Sequence, residues 1–160
     1  DNCIGYKRTL HTGCGTLHCE AFFDPVNGNL LETYLSKGST GGCNQFMIGL
    51  SRMISLSARG GIDINSIVDQ LKSSGTCPSY AVRKVTKHDT SKGSSCPVAV
   101  GNALLDMYNE IQKELKDNEE DSNYETNTSF SKIVCPECGA ELTFEGGCNT
   151  CKNCGWSKCD

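Results

Sequence analysis

The groups in this chain most able to do chemistry are its 12 cysteines, and their spacing divides them into two sets. Late in the chain stands Cys135-Pro136-Glu137-Cys138-Gly139, then eleven residues, then Cys151-Lys152-Asn153-Cys154-Gly155. Two Cys-x-x-Cys-Gly knuckles joined by a short hairpin are the pattern of a zinc ribbon. Each knuckle turns so that backbone N–H groups point at sulfur, and the glycine takes the tight turn conformation. Four thiolates then close a tetrahedral site. A module this short has almost no core, so metal binding supplies its folding energy.

Cys148 and Cys159 are left over. Cys148-x-x-Cys151 permits a second register, in which zinc takes Cys135, Cys138, Cys148 and Cys151 and leaves Cys154 with Cys159. The first register is preferred because both of its knuckles carry the following glycine. In either register Cys159 is free. A mobile thiol beside Lys158 suits thiol–disulfide exchange, and a spare surface cysteine is the bland alternative.

The earlier cysteines are spread more widely. Cys14 sits in Thr12-Gly13-Cys14-Gly15, Cys43 ends Gly41-Gly42-Cys43, and Cys77 and Cys96 each precede a proline. All four lie at turns or element ends, where thiolates can project and converge. Cys43 and Cys96 also stand at expected helix starts, whose dipole favours a thiolate. These four are expected to ligate a second zinc, against the alternative of ordinary buried cysteines. Cys19 shares an apolar strand face and is expected in the core. Cys3 is uninformative. His11, His18 and His88 show no ligand spacing and are expected at the surface.

The elements that must position these sulfurs follow from periodicity. Residues 16–23 alternate, with Leu17, Cys19, Ala21 and Phe23 on one face. With shorter strands over 7–12 and 30–36 and a turn at Asp24-Pro25 and Asn27-Gly28, they predict an antiparallel hairpin or small sheet. The glycine-rich loop over 37–43 lacks the Gly-Lys-Ser/Thr of a phosphate-binding loop. A helix follows to about residue 58. Its stripe of Phe46, Met47, Leu50, Met53 and Ile54 is expected to be core. Arg59-Gly60-Gly61 stops it, and Asp63 caps a short helix carrying Ile64, Ile67, Val68 and Leu71. Residues 76–95 are expected to be loop, with one strand near 80–85. Pro97 opens a helix to residue 115, with Val100, Leu104, Met107, Tyr108, Ile111 and Leu115 on its buried face.

The composition then changes. Residues 116–125 set Asp117, Glu119, Glu120, Asp121 and Glu125 against Lys116 alone, and the stretch to 131 stays polar. This is expected to be a flexible linker with a span of about 20 Å. The fold class is therefore α+β. A small antiparallel sheet and two to three helices surround a four-cysteine zinc site in residues 1–115. A linker follows over 116–131, and a ribbon over 132–160.

Aromatic content of 7% and a net charge of −4 constrain the rest. The core should be modest, and such cores need a staple. The charge argues against nucleic acid and anionic membrane. No apolar run is long enough for a signal peptide or a membrane span, so a reducing cytoplasmic setting is expected. A first residue of Asp1 is read as a processed chain or a piece of a longer one.

The two glycine–cysteine turns, the string Ser51-Arg52-Met53-Ile54-Ser55-Leu56-Ser57-Ala58-Arg59-Gly60-Gly61-Ile62-Asp63, Cys77-Pro78 and Ser95-Cys96-Pro97 together resemble the TSCPD domain. That domain occurs alone in small proteins and near the C-terminus of adenosylcobalamin-dependent (class II) ribonucleotide reductases. There it is followed by a ribbon similar to residues 135–159. One departure is that Ser94-Ser95-Cys96-Pro97-Val98 lacks the threonine and the aspartate of the name motif. The resemblance implies a supporting role in deoxyribonucleotide synthesis. A mobile cysteine pair would re-reduce the disulfide made at each turnover and pass it to a thioredoxin-like reductant. On that reading Cys159 attacks, and Cys148 or Cys154 resolves. The partner would be a reductase catalytic domain, in cis or in trans. Adenosylcobalamin would belong to that domain, so this chain alone would not reduce nucleotides. The alternative is a stand-alone zinc-binding regulatory or interaction module.

Overall fold

In the computed structural model, residues 2–37, 43–125 and 134–159 are described. The chain forms two compact units, residues 1–117 and 118–160.

The first unit begins with three antiparallel strands, β1 (Ile4–Thr12), β2 (Gly15–Phe23) and β3 (Leu30–Lys37), in the order β1-β2-β3. The alternation read in β2 holds: Leu17, Cys19, Ala21 and Phe23 are all fully buried. Burial pushes the Cys19 thiol up to about 12, as expected of a sulfur in the core. The β1–β2 turn is the two residues Gly13 and Cys14. A Cβ on Gly13 would lie 2.3 Å from the Tyr80 nitrogen, so only glycine allows the hairpin to approach that closely.

Four helices complete the unit: α1 (Asn44–Arg59), α2 (Ile64–Lys72), α3 (Pro78–Thr86) and α4 (Cys96–Glu125). Asp63 caps α2 by accepting from the Asn65 N–H, and Gly61 takes the left-handed conformation after α1. Val100, Leu104, Met107 and Ile111 of α4 join the sheet residues in one apolar core. Outside that core, Arg8 of β1 pairs with Asp106 and Glu110, and the Tyr6 hydroxyl donates to Glu114 at 2.7 Å.

Helix α1 runs along β3, one of the two edge strands of the sheet. Its buried serines satisfy backbone groups that the edge leaves open. The Thr33 N–H donates to Ser55 Oγ at 2.9 Å and the Leu35 N–H to Ser51 Oγ at 3.1 Å, while both hydroxyls donate to the Thr33 carbonyl. Buried backbone groups need such partners, and here a helix closes a strand edge without a fourth strand.

Three expectations are corrected. The strand near 80–85 is helix α3, started by Pro78 at its first position with Cys77 as N-cap. Its single buried residue is Tyr80, too little periodicity to show as a helix. The α1 stripe is only partly core. Met47 and Ile54 are buried, whereas Phe46 and Met53 are exposed, because β3 takes the neighbouring serine face instead. The expected linker is helical through Glu125, ten residues beyond the expected end. Lys116, Glu119, Glu120 and Glu125 are good helix formers, and the weaker Asp, Asn and Ser between them are carried by a helix already nucleated by its packed half. Among the described residues there are thus four helices, where two to three were expected. The rest of the expected linker, 126–131, and the loop at 38–42 lie outside the described residues.

The second unit carries a small antiparallel sheet, β4 (Thr143–Glu145), β5 (Cys148–Thr150) and β6 (Ser157–Cys159), in the order β4-β5-β6.

Candidate metal centre

The two knuckles have the same backbone wiring. In the first, the Cys135 N–H donates to the Ala140 carbonyl at 2.8 Å and the Gly139 N–H to the Cys135 carbonyl at 2.8 Å. In the second, Cys151 donates to Trp156 at 2.7 Å and Gly155 to Cys151 at 3.0 Å. Gly139 and Gly155 have φ of 74° and 81°, a region that L side chains rarely enter. Cys-x-x-Cys-Gly thus closes one turn twice, and the turns face each other.

The result is a cluster of four thiols. The sulfurs of Cys135, Cys138, Cys151 and Cys154 all lie within 4.8 Å of one another. Cys135 and Cys154 approach to 3.6 Å, Cys138 and Cys151 to 3.5 Å. A tetrahedron with zinc–sulfur bonds of about 2.3 Å has edges of about 3.8 Å, so this donor set fits a metal ion such as zinc. The first cysteine of each knuckle is buried and the second exposed.

The surroundings favour thiolate at one corner. The Ala140 N–H and the Asn153 amide push the Cys138 thiol down to about 6. At Cys154 the Trp156 N–H favours the thiolate. Desolvation and hydrogen bonds with the neighbouring thiols outweigh it and push that thiol up to about 12. Four negative sulfurs this close repel one another unless protons or a cation lie between them. Asn153 was not singled out from the sequence. Its only signal is its place inside the second knuckle, 3.7 Å from Cys138 Sγ.

Cys148 and Cys159 are directly opposed on β5 and β6, and they form a disulfide. Cys154 stands in the four-thiol cluster.

The four earlier cysteines occupy element ends. Cys14 is in the β1–β2 turn, Cys77 caps α3, Cys96 opens α4, and Cys43 caps α1. Several links draw these ends together. The Cys77 N–H donates to the Ser94 carbonyl at 2.8 Å, and Gly13 rests on the first turn of α3. The Lys37 N–H donates to the Asn44 side chain beside Cys43. Burial pushes the Cys96 thiol up. Thr12 and Lys37 oppose that shift, and Cys14 and Cys77 are close enough to add to it. Thr12 and Lys37 were also not read from the sequence as neighbours of this group. Among the described residues, the group whose donor atoms close to within 4.8 Å is the later one, Cys135, Cys138, Cys151 and Cys154. His11 and His88 are exposed and His18 is half-buried. No helix among the described residues is long and apolar enough to cross a membrane.

No curated protein matches this chain, and neither does any solved structure. A family profile described as the TSCPD domain matches residues 3–108, well over half of the sequence, and the chain belongs to that family.

Proposed function

We propose that this chain is the C-terminal zinc-binding and thiol-redox region of an adenosylcobalamin-dependent ribonucleotide reductase. In this role it re-reduces the active-site disulfide during deoxyribonucleotide synthesis. The observation that carries the reading is the Cys148–Cys159 disulfide, set beside a four-thiol cluster on a chain of the TSCPD family. A dithiol that can close into a disulfide without disturbing a neighbouring metal site is what such a relay requires.

The Cys159 thiolate attacks one sulfur of the catalytic domain's disulfide, forming a mixed disulfide and releasing a thiolate there. Cys148 then attacks Cys159 Sγ and releases the second thiol. Two electrons and two protons have moved to the catalytic domain, and the Cys148–Cys159 disulfide remains. A thioredoxin-like dithiol returns it to the reduced pair. Cys154 as resolving partner is disfavoured by its place among the metal ligands. Zinc, held by Cys135, Cys138, Cys151 and Cys154, supplies fold rather than redox chemistry, since it does not change oxidation state. A second zinc would be held by Cys14, Cys43, Cys77 and Cys96. Support for it is the placement of all four at element ends, with Cys14 and Cys77 acting on the Cys96 thiol; among the described residues their sulfurs do not close to within 4.8 Å as the later four do.

The test is turnover with the catalytic domain present. Cys159→Ser should abolish activity driven by thioredoxin and spare activity driven by a small dithiol; unchanged thioredoxin-driven activity would refute the role. Metal content separates the sites. Two zincs per chain should fall to one in the Cys135→Ser/Cys151→Ser full-length variant.

A further inference from the structure

The outward face of α1 is unusually apolar for a surface helix. Phe46 is 79% exposed, Met53 60%, Leu56 58%, and Ile62 just past the helix 53%. Phe46, Gly49, Met53 and Leu56 recur at helical spacing, so they form one ridge about 15 Å long. A Cβ on Gly49 would meet nothing, which leaves a notch in mid-ridge. Between this ridge and α2 runs a groove of ≈ 270 Å³, walled by Leu50, Met53, Ile54, Ile62, Ile67 and Leu71. A contiguous apolar face of this kind marks an interaction site more often than chance exposure does.

The charge around the ridge points to its occupant. Arg52 and Arg59 lie seven residues apart along one flank, and α1 contains no carboxylate. Neither arginine belongs to an ion pair among the described residues. Glu32 of β3 is the one acid lining the same flank. An added strand is excluded alongside β3, because Ser51 and Ser55 already occupy its edge groups. A second copy of α1 would set arginine against arginine. The chain's net charge of −4 opposes an anionic bilayer.

We propose that the α1 ridge docks an amphipathic helix of a partner protein, whose apolar stripe is flanked by aspartate or glutamate that pair with Arg52 and Arg59. Apolar residues of that helix at i, i+3 or i+4, and i+7 would fill the groove and the Gly49 notch, as in other helix-in-groove recognition. The arginines would set its direction and select against basic stripes. The ridge itself contains no cysteine, although its helix is capped by Cys43.

A displayed library of helical peptides, selected on the full chain, tests this. Counter-selection uses the full-length Phe46→Ser/Met53→Ser/Leu56→Ser variant, whose exposed substitutions should leave circular dichroism and melting unchanged. The expected consensus is an apolar i, i+3/4, i+7 stripe with flanking acids. Affinity should drop at least tenfold both in the triple variant and in Arg52→Glu/Arg59→Glu, and a lysine-flanked peptide should gain affinity for the latter. A consensus without acids, or enrichment that the triple variant does not reduce, overturns the proposal. So does ridge-dependent self-association in sedimentation, which assigns the face to a second copy. Ridge-dependent flotation with vesicles of anionic phospholipid assigns it to a membrane and likewise overturns the proposal.

Discussion

The two units of this chain solve the same problem with different materials. In the first, twenty buried residues from Leu10 to Ile111 form one continuous apolar cluster, with Phe23, Leu35, Tyr80, Leu104 and Met107 at or near zero exposure. In the second, the buried apolar side chains among the described residues are Cys135 and Cys151, both members of the four-thiol cluster. The sequence led us to expect sulfur and metal in place of a substantial interior throughout. Sulfur in place of an apolar interior describes residues 134–159, whose four thiols could hold a metal ion, and does not describe residues 2–37 and 43–117, where alternating strands and amphipathic helices bury a continuous apolar cluster. Cysteine abundance is therefore a poor guide to what holds a unit together. Its spacing is a better one.

The comparison breaks most visibly on metal removal. Exhaustive chelation, or Cys135→Ser/Cys151→Ser, should unfold the second unit outright, since a structural four-thiolate site is worth about 10–16 kcal/mol to so small a module. The first unit should keep its dispersed amide resonances. In two-dimensional NMR, peaks from 134–159 would collapse while those of the sheet core persist. Loss of both sets together would mean that the apolar core is not self-sufficient.

A smaller effect tests the other side. Removing one hydroxyl, in Ser51→Ala or Ser55→Ala, strands a buried backbone N–H of Leu35 or Thr33. Each should destabilise the first unit by about 1–3 kcal/mol in urea unfolding, because an unsatisfied buried donor loses its partner and gains no water. Metal content should stay the same.

Those serines also show where sequence reasoning stopped. The alternation of Leu17, Cys19, Ala21 and Phe23, the Asp63 cap and the paired knuckles were all legible, because each is a local pattern with a local cause. The α1 face was not. Periodicity identifies a stripe, but the choice of face depends on the neighbour, and β3 offers open hydrogen-bonding groups rather than apolar surface. Serine therefore turns inward and Phe46 outward. Helix α3 was hidden for a related reason: Val82 and Val85 are exposed, so its apolar residues do not mark its buried side. At the metal centre the ligand spacing was readable. The Asn153 and Ala140 contacts to Cys138 depend on how the second residue of each knuckle is turned.

Within the second unit, disulfide and metal can be compared directly. Cys148–Cys159 closes a loop with a sequence separation of 11, worth about 2–3 kcal/mol by chain entropy. That is well below the worth of the metal site. Reduction, or Cys148→Ser/Cys159→Ser, should thus free β6 from β5 and raise amide exchange at 157–159. Zinc stoichiometry and the knuckle hydrogen bonds should be unchanged. Metal release on reduction would mean that the two staples are one.

Acid should separate the units again, by the smallest increment. Metal held by thiolates is lost as falling pH protonates sulfur, so the second unit should open first on acidification from neutrality. In the first unit, the Asp89 carboxyl is held below its ordinary range. The hydrogen-bonded guanidinium of Arg83 pulls it down from 3.8 to about 2. A depressed folded-state pKa contributes stability that is present above the unfolded value of 3.8 and lost as pH falls through about 2. Asp89 is exposed and Arg83 half-buried, so solvent screens the pair and its contribution is correspondingly small. Asp89→Asn should leave the first unit slightly less stable at neutral pH, with a flatter stability profile between about pH 4 and pH 2. Arg83 also donates to the Thr12 carbonyl at 3.1 Å, so losing the acid should loosen α3 against the β1–β2 hairpin, where Cys14 and Cys77 lie. Unfolding followed unit by unit down to pH 2 checks both points. A variant profile parallel to that of the unsubstituted chain would assign the acid limb to other carboxylates.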